Sequence, residues 1–219
     1  MKVNKVFENV FKVDSRLATQ NLVPGEKVYG EELVYVEGIE YRMWNPYRSK
    51  LAAAILNGLK EFHIKEGSSV LYLGAANGTT CSHVSDIIGK KGIIFCIEIS
   101  ERSMRDLVKV CEKRENMLPI LADARNVEQY EKDAGEVDII YEDVSSRDQA
   151  EILLANSNLL KRKGYAYVAI KSQSIDTARK PSEVYEEFID KISSRFKVLE
   201  SIKLEPFHKK HLFVVLEKI

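Results

Sequence analysis

The last two apolar runs of this chain, KVLESIKL and HLFVVLEKI, are joined only by EPFHKK, a link too short to hold a helical crossover. They must therefore pair as an antiparallel hairpin. The preceding pattern is different. SSVLYLG, GIIFCIEI, MLPILA, VDIIYEDV and YAYVAIK are β-rich runs, followed in turn by the helical segments CSHVSDIIG, ERSMRDLVKVCEKRE, VEQYEKDAG, RDQAEILLANSNLL and PSEVYEEFIDKISSRF. Five strand–helix pairs in series imply a parallel sheet covered by helices on both faces. The expected architecture is α/β: a Rossmann-like, seven-stranded sheet with an antiparallel last strand.

Residues 1–48 read differently. VFENVFKV, NLVPGEKVYG and ELVYVEGIEYRMW are β-rich and punctuated by Pro24-Gly25 and Gly38, which predicts a small antiparallel β appendage. Ser49 can cap a helix through LAAAILNGLKEF, so the main domain is expected to span 49–219. With 219 residues, 45% of them hydrophobic, one full domain and an appendage fit but two large domains do not. Lys plus Arg and Asp plus Glu both count 33, so nucleic-acid contact would need local patches rather than a global field. The three cysteines show no CxxC or zinc-type spacing, which suggests a reduced interior. MKVNKVFENVFKV lacks the apolar core of a signal peptide, and no run could span a bilayer, so a cytoplasmic location without membrane contact is expected.

Chemistry gathers where strands end. SSVLYLG runs into Gly74-Ala75-Ala76-Asn77-Gly78-Thr79-Thr80, a turn of small residues where a ligand can approach backbone. Glu98 lies 20 residues beyond Gly78, at the carboxyl end of the second strand, where a carboxylate can accept from both ribose hydroxyls of an adenosine. Asp123 and Asp143 follow the third and fourth strands. Three carboxylates on one rim would repel a pyrophosphate and attract a sulfonium with its amino-acid ammonium. S-adenosylmethionine is therefore preferred to NAD, in keeping with the class I methyltransferase arrangement of the strands.

YRMWNPYRSKLAAAIL, VLYLGAANGTTCSHVSDIIG, PILADAR, VDIIYEDV, VAIKSQSID and LEPF followed by His211 resemble the fibrillarin family from about Leu17 to the C-terminus. The chain resembles its archaeal form in showing no Gly/Arg-rich tail. The resemblance implies cofactor contacts from Thr79, Thr80, Glu98, Ile99, Asp123, Ala124 and Asp143, beside the Gly74 and Ala75 that the turn itself suggests. It also implies a Lys-Asp-Lys-Glu tetrad, matched here by Lys50, Asp143, Lys171 and Glu205, with Lys171 as general base or hydroxyl orienter. The implied activity is ribose 2′-O-methylation of rRNA and tRNA under a box C/D guide RNA, with a Nop-domain scaffold protein and a kink-turn-binding ribosomal-type protein as partners.

Two departures accompany the match. The family's YEDVAQ is YEDVSS here, so a Gln contact would fall to Ser146. His208-Lys209-Lys210 makes the loop after LEPF more basic. His208 and His211 read as structural, with no metal expected. Tyr41, Trp44 and Tyr47 beside Arg42 and Arg48 either stack RNA or, the preferred reading, join the appendage to the main domain. Alternatives to the implied activity are a non-catalytic ribonucleoprotein scaffold and a small-molecule O-methyltransferase.

Overall fold

The computed structural model describes all 219 residues and contains two sheets. The first comprises β1 (Val3–Phe7), β2 (Val10–Val13), β3 (Arg16–Gln20), β4 (Leu33–Val36) and β5 (Ile39–Met43), in the antiparallel order β1-β2-β3-β5-β4. The expected β appendage is present, but its strands are not all those anticipated. RLATQ forms β3, whereas most of NLVPGEKVYG is irregular because its backbone is held by carboxylates: Glu40 accepts from Gly25 N–H, and Glu31 from Val28 and Tyr29 N–H.

The second sheet is built in chain order from β6 (Ser69–Leu73), β7 (Ile93–Glu98), β8 (Met117–Leu121), β9 (Val137–Glu142), β10 (Leu160–Lys171), β11 (Phe196–Lys203) and β12 (His211–Lys218). Its spatial order is β11-β12-β10-β9-β6-β7-β8. β12 runs antiparallel to both neighbours, so the hairpin folds back to insert its second strand between β11 and β10. β6 lies inside the sheet, and the order reverses beside it, where β9 and β7 flank it on opposite sides. That reversal opens a crevice at the carboxyl ends of the strands.

Helices cover both faces. α1 (Lys50–Leu56), α2 (Thr79–Ile88) and α3 (Glu101–Cys111) pack into one core. α4 (Glu131–Ala134), α5 (Gln149–Asn156) and α7 (Pro181–Ile192) contribute to the other, while the one-turn α6 (Ser172–Ile175) follows β10. Ser49 caps α1 as expected, its hydroxyl accepting from Ala52 N–H at 3.4 Å. The helix stops at Leu56 rather than running to Phe62, because Gly58 takes a left-handed φ of 100° beyond the Asn57 cap. VEQYEKDAG likewise yields only a 3₁₀ turn and the four-residue α4, closed by Gly135 at φ 57°.

The two sheets are joined by buried charge. Arg42, fully buried on β5, bonds Glu31 at 2.5 Å and Asp86 of α2 at 2.8 Å. Arg114 takes the other Asp86 oxygen at 2.7 Å, and Thr19 Oγ1 donates to Asp86 at 2.7 Å. Trp44 stacks on buried His83 with centroids 4.6 Å apart. Arg42 and Trp44 thus join the appendage to the main domain, whereas Tyr41 packs in the appendage's own core with Val13, Ala18, Val34 and Met43; all three are buried, which removes them from any RNA-stacking patch.

Candidate active site

The crevice holds a cavity of about 740 Å³ lined by the ends of β6 to β10. Gly74 closes β6 with φ 83°, and a side chain there would meet the Asp143 backbone oxygen at 3.0 Å. Glycine therefore lets the β6 and β9 ends approach. Glu98 is nearly buried on the opposite wall, its oxygens accepting from Ala76 N–H at 2.7 Å and Ser100 N–H at 2.8 Å. Those bonds fix the carboxylate and leave it spare acceptor capacity. Ile99, 61% exposed, offers an apolar contact at the rim.

Asp123 and Ala124 also line the cavity. The Arg125 guanidinium bonds Asp123 at 2.6 Å and holds its carboxyl below the usual range. LADAR therefore supplies a cation as well as an anion, and Arg125 was visible in the sequence without being singled out. Ser146 lies on the wall, its hydroxyl accepting from Asp148 N–H at 3.2 Å.

Three expected contacts lie elsewhere. Thr80 is buried and donates to Ser49 Oγ at 3.1 Å, tying α2 to the start of α1. Thr79 faces a separate cavity beside Asn77 and Arg48. Ala75 is packed into the core, and Ala76 lines the site instead. The turn uses its residues to brace α1 and Glu98, roles that a motif string does not display.

Lys50, Asp143 and Lys171 converge from α1, the end of β9 and the end of β10. Lys50 Nζ is 2.9 Å and Lys171 Nζ 2.8 Å from Asp143 Oδ1, with the three side chains 11–18% exposed. Burial alone would push the Asp143 carboxyl up, but the two ammoniums outweigh it and hold it below its ordinary value. Burial pulls the Lys171 amine below its ordinary value, opposed by Asp143 and assisted by Lys50. Lys171 Nζ also donates to the Asp143 carbonyl at 2.6 Å and to Ser145 Oγ at 3.0 Å. Two of the ammonium's three hydrogens are thus engaged, while Asp143 Oδ1 is a close charge contact without an aligned hydrogen bond.

Glu205 does not join this group. It is exposed in the β11–β12 link, where its carboxylate accepts from Lys210 N–H at 2.8 Å. The group beside Lys171 is His211, its register partner across β10 and β12. Paired residues of an antiparallel ladder project to the same face. The His211 Nδ1–H donates to the Lys209 carbonyl at 2.7 Å, leaving Nε2 to carry the lone pair. Burial pulls its pKa down, the bond to Lys209 opposes, and Lys50 and Lys171 lower it further, so the ring is neutral at pH 7. The signal that could have found it is the register: His211 follows a six-residue link and must pair near the end of YAYVAIK.

The donor set fits S-adenosylmethionine. Carboxylates at Glu98, Asp123 and Asp143 suit hydroxyls, ammonium and sulfonium, and the small Gly74-Ala75-Ala76 turn leaves room beside them.

Sheet order with one reversed strand, and an acidic cleft at the strand ends, define a class I S-adenosylmethionine-dependent methyltransferase fold. The Fibrillarin family model matches residues 1–219, and the chain belongs to the fibrillarin family. It is 53% identical over 204 residues to the fibrillarin-like rRNA/tRNA 2′-O-methyltransferase of Pyrococcus horikoshii, covering 93% of this chain and 90% of that one. Aeropyrum pernix fibrillarin, solved with natively bound S-adenosyl-L-methionine, superposes with TM-score 0.89 at 43% identity, covering 99% of this chain and 98% of that one. A fibrillarin from a fibrillarin/Nop5p complex gives 0.88 at 36% identity, covering 97% and 98%.

Proposed function

We propose that this chain is a guide-directed ribose 2′-O-methyltransferase, which transfers a methyl group from S-adenosylmethionine to rRNA and tRNA within a box C/D ribonucleoprotein. The observation that carries the reading is Asp143 held between Lys50 and Lys171 at the wall of the acidic cleft. A non-catalytic scaffold has no use for such a cluster, since buried like charges around one carboxylate cost desolvation energy.

Glu98 would hold the adenosine ribose of the cofactor, with Ile99, Ala124, Gly74, Ala76 and Asp123 along the wall that would receive the rest. When bound, the cofactor supplies an electrophilic methyl group on a sulfonium. The chain's own task is to present an oxygen in line and remove its proton. Lys171, with two hydrogens engaged and one left, acts as an ammonium that orients the hydroxyl and stabilises negative charge growing on oxygen. Asp143 fixes both lysines. His211, the cross-strand neighbour of Lys171, keeps Nε2 free as an acceptor and takes the proton. Glu205 shapes the link that delivers His211.

Ribose carries no base identity, so selection of the target falls to base pairing with a guide. With 33 basic against 33 acidic residues, the chain has little general attraction for RNA phosphates. A Nop-domain scaffold, a kink-turn-binding ribosomal-type protein and the guide RNA supply affinity and placement. The test is radiolabelled methyl transfer to matched and mismatched RNA, by the chain alone and by the reconstituted assembly. Guide-matched transfer only by the assembly is expected; sequence-specific methylation by the lone chain would overturn the reading.

A further inference from the structure

The segment that leads into Lys50 carries an aromatic group that the chemistry above does not use. Tyr47 lies three residues before Lys50 and is 65% exposed, yet its backbone is tightly placed. Its N–H donates to Asn45 Oδ1 at 2.9 Å, and the neighbouring Pro46 carbonyl accepts from His208 Nε2 at 2.8 Å. Arg48 donates to the Tyr29 carbonyl at 3.2 Å and lies over the Tyr29 ring at 5.0 Å, while Ser49 caps α1. An exposed ring on so constrained a segment has already lost much of its conformational freedom, which lowers the cost of using it for recognition.

The ring is also braced. Phe207, from the β11–β12 link, meets Tyr47 edge to face with centroids 5.1 Å apart. The pair bridges the two segments that deliver Lys50 and His211, and His208 between them feels the charge of Lys50. Lys209 and Lys210 are exposed in the same link as Phe207, and the acid of that link, Glu205, accepts from the Lys210 backbone. An exposed π-face beside a basic link suits a nucleobase on a phosphate chain. The Lys50–Asp143–Lys171 group is recessed, so a ribose must be held at the lip while its hydroxyl enters.

We infer that Tyr47, braced by Phe207, is a positioning residue that stacks against the nucleotide bearing the target hydroxyl. The inference rests on the proposed function and adds to it the contact that seats the substrate. It makes Tyr47 an RNA contact rather than part of the appendage joint.

The test uses the reconstituted ribonucleoprotein and steady-state transfer to a guide-matched RNA. Tyr47→Ala should raise the target KM by about tenfold to a hundredfold, as expected for losing one stacked base. The cofactor Kd should stay unchanged. Tyr47→Phe and Tyr47→Trp should restore the wild-type KM, because the π-face and not the hydroxyl is used. Tyr35→Ala, which removes an equally exposed ring from the far edge strand β4, should change nothing. An unchanged KM in Tyr47→Ala with an active wild type overturns the inference alone. Loss of the scaffold protein from the purified Tyr47→Ala assembly, with normal KM once the scaffold is saturating, assigns the ring to a protein contact and overturns it as well. An inactive wild-type assembly overturns the proposed function, and the inference falls with it.

Discussion

Asp86 and Asp143 each lie between two cations, but the cations and their surroundings differ. Asp86 is fully buried where the two sheets meet, with Arg42 and Arg114 on opposite oxygens and further bonds from Thr19 Oγ1 and Leu22 N–H. Every acceptor direction has a directed donor, and arginine cannot give up its proton at any working pH. Asp143 lies at a cavity wall with two lysines, and its Oδ1 has close charged contacts but no well-aligned hydrogen bond. Lysine is a movable point charge whose pKa responds to burial. The arginine pair locks two sheets together, while the lysine pair leaves electrostatic strength available to a substrate.

The largest effect expected from breaking the lysine side is on rate. Lys171→Met or Asp143→Asn in the assembly should lower single-turnover methyl transfer by about 10²–10⁴-fold, the range for losing a positioned proton-transfer or charge-stabilising group. Melting should change little, because the cavity admits water to the remaining ends. Lys171→Arg sharpens the test. If the ammonium serves as a fixed cation, arginine should recover part of the rate; a Lys171→Arg enzyme as poor as Lys171→Met would mean that Lys171 itself must deprotonate.

Breaking the arginine side should act on stability instead. Arg42→Met strands Glu31 and half of Asp86 in the interior, and removing one member of a buried ion pair costs about 3–5 kcal/mol. Urea denaturation measures it. The fraction that remains folded should turn over at the wild-type rate, and a catalytic defect without destabilisation would contradict the division between the two clusters.

The parallel strands, the closing hairpin and the β appendage were legible because hydrophobic period and link length are local facts. Glu98, Asp123 and Asp143 were legible for a related reason: the end of a strand in an open α/β sheet points a residue at the crevice. Thr79, Thr80, Ala75 and Glu205 show where this stops. Each lies in a turn, in a link or in the first turn of a helix, where one residue's difference in direction separates cavity from core. His211 was hidden because its relevance comes from cross-strand register with Lys171, a contact between residues 40 apart in sequence.

Glu98 lies between the two aspartates in character, buried like Asp86 but open on one side like Asp143. Its two backbone bonds do not depend on the cofactor. Glu98→Gln should therefore preserve the fold while weakening cofactor binding about tenfold to a hundredfold, as for losing charge-assisted hydrogen bonds worth about 1.5–3 kcal/mol. Isothermal titration reads this directly, and an unchanged constant would assign Glu98 to the turn alone.

The smallest expected effect concerns the residue beside Asp143 that has no cation in contact. Glu142 is fully buried at the end of β9, and neither carboxylate oxygen has a hydrogen-bond partner. Burial pushes its pKa well above the ordinary value, with Lys171 opposing and Asp143 adding to the rise. A group whose folded pKa is raised gives its full stability below the unfolded value of about 4.5 and loses it as pH climbs toward the folded value. Wild-type stability should thus decline across that interval relative to Glu142→Gln, which has the same shape and no proton to lose. At pH 8 the Gln variant should melt a few degrees higher, since about 1 kcal/mol shifts a chain of this size by about 2–4 °C. Near pH 4.5 the two curves should meet. Measuring both melting temperatures across the series isolates Glu142, because every other titrating group is shared. Equal melting at every pH would mean that ionised Glu142 is stabilised as well as Asp143 is, and that a carboxylate at this end of the sheet needs no adjacent cation.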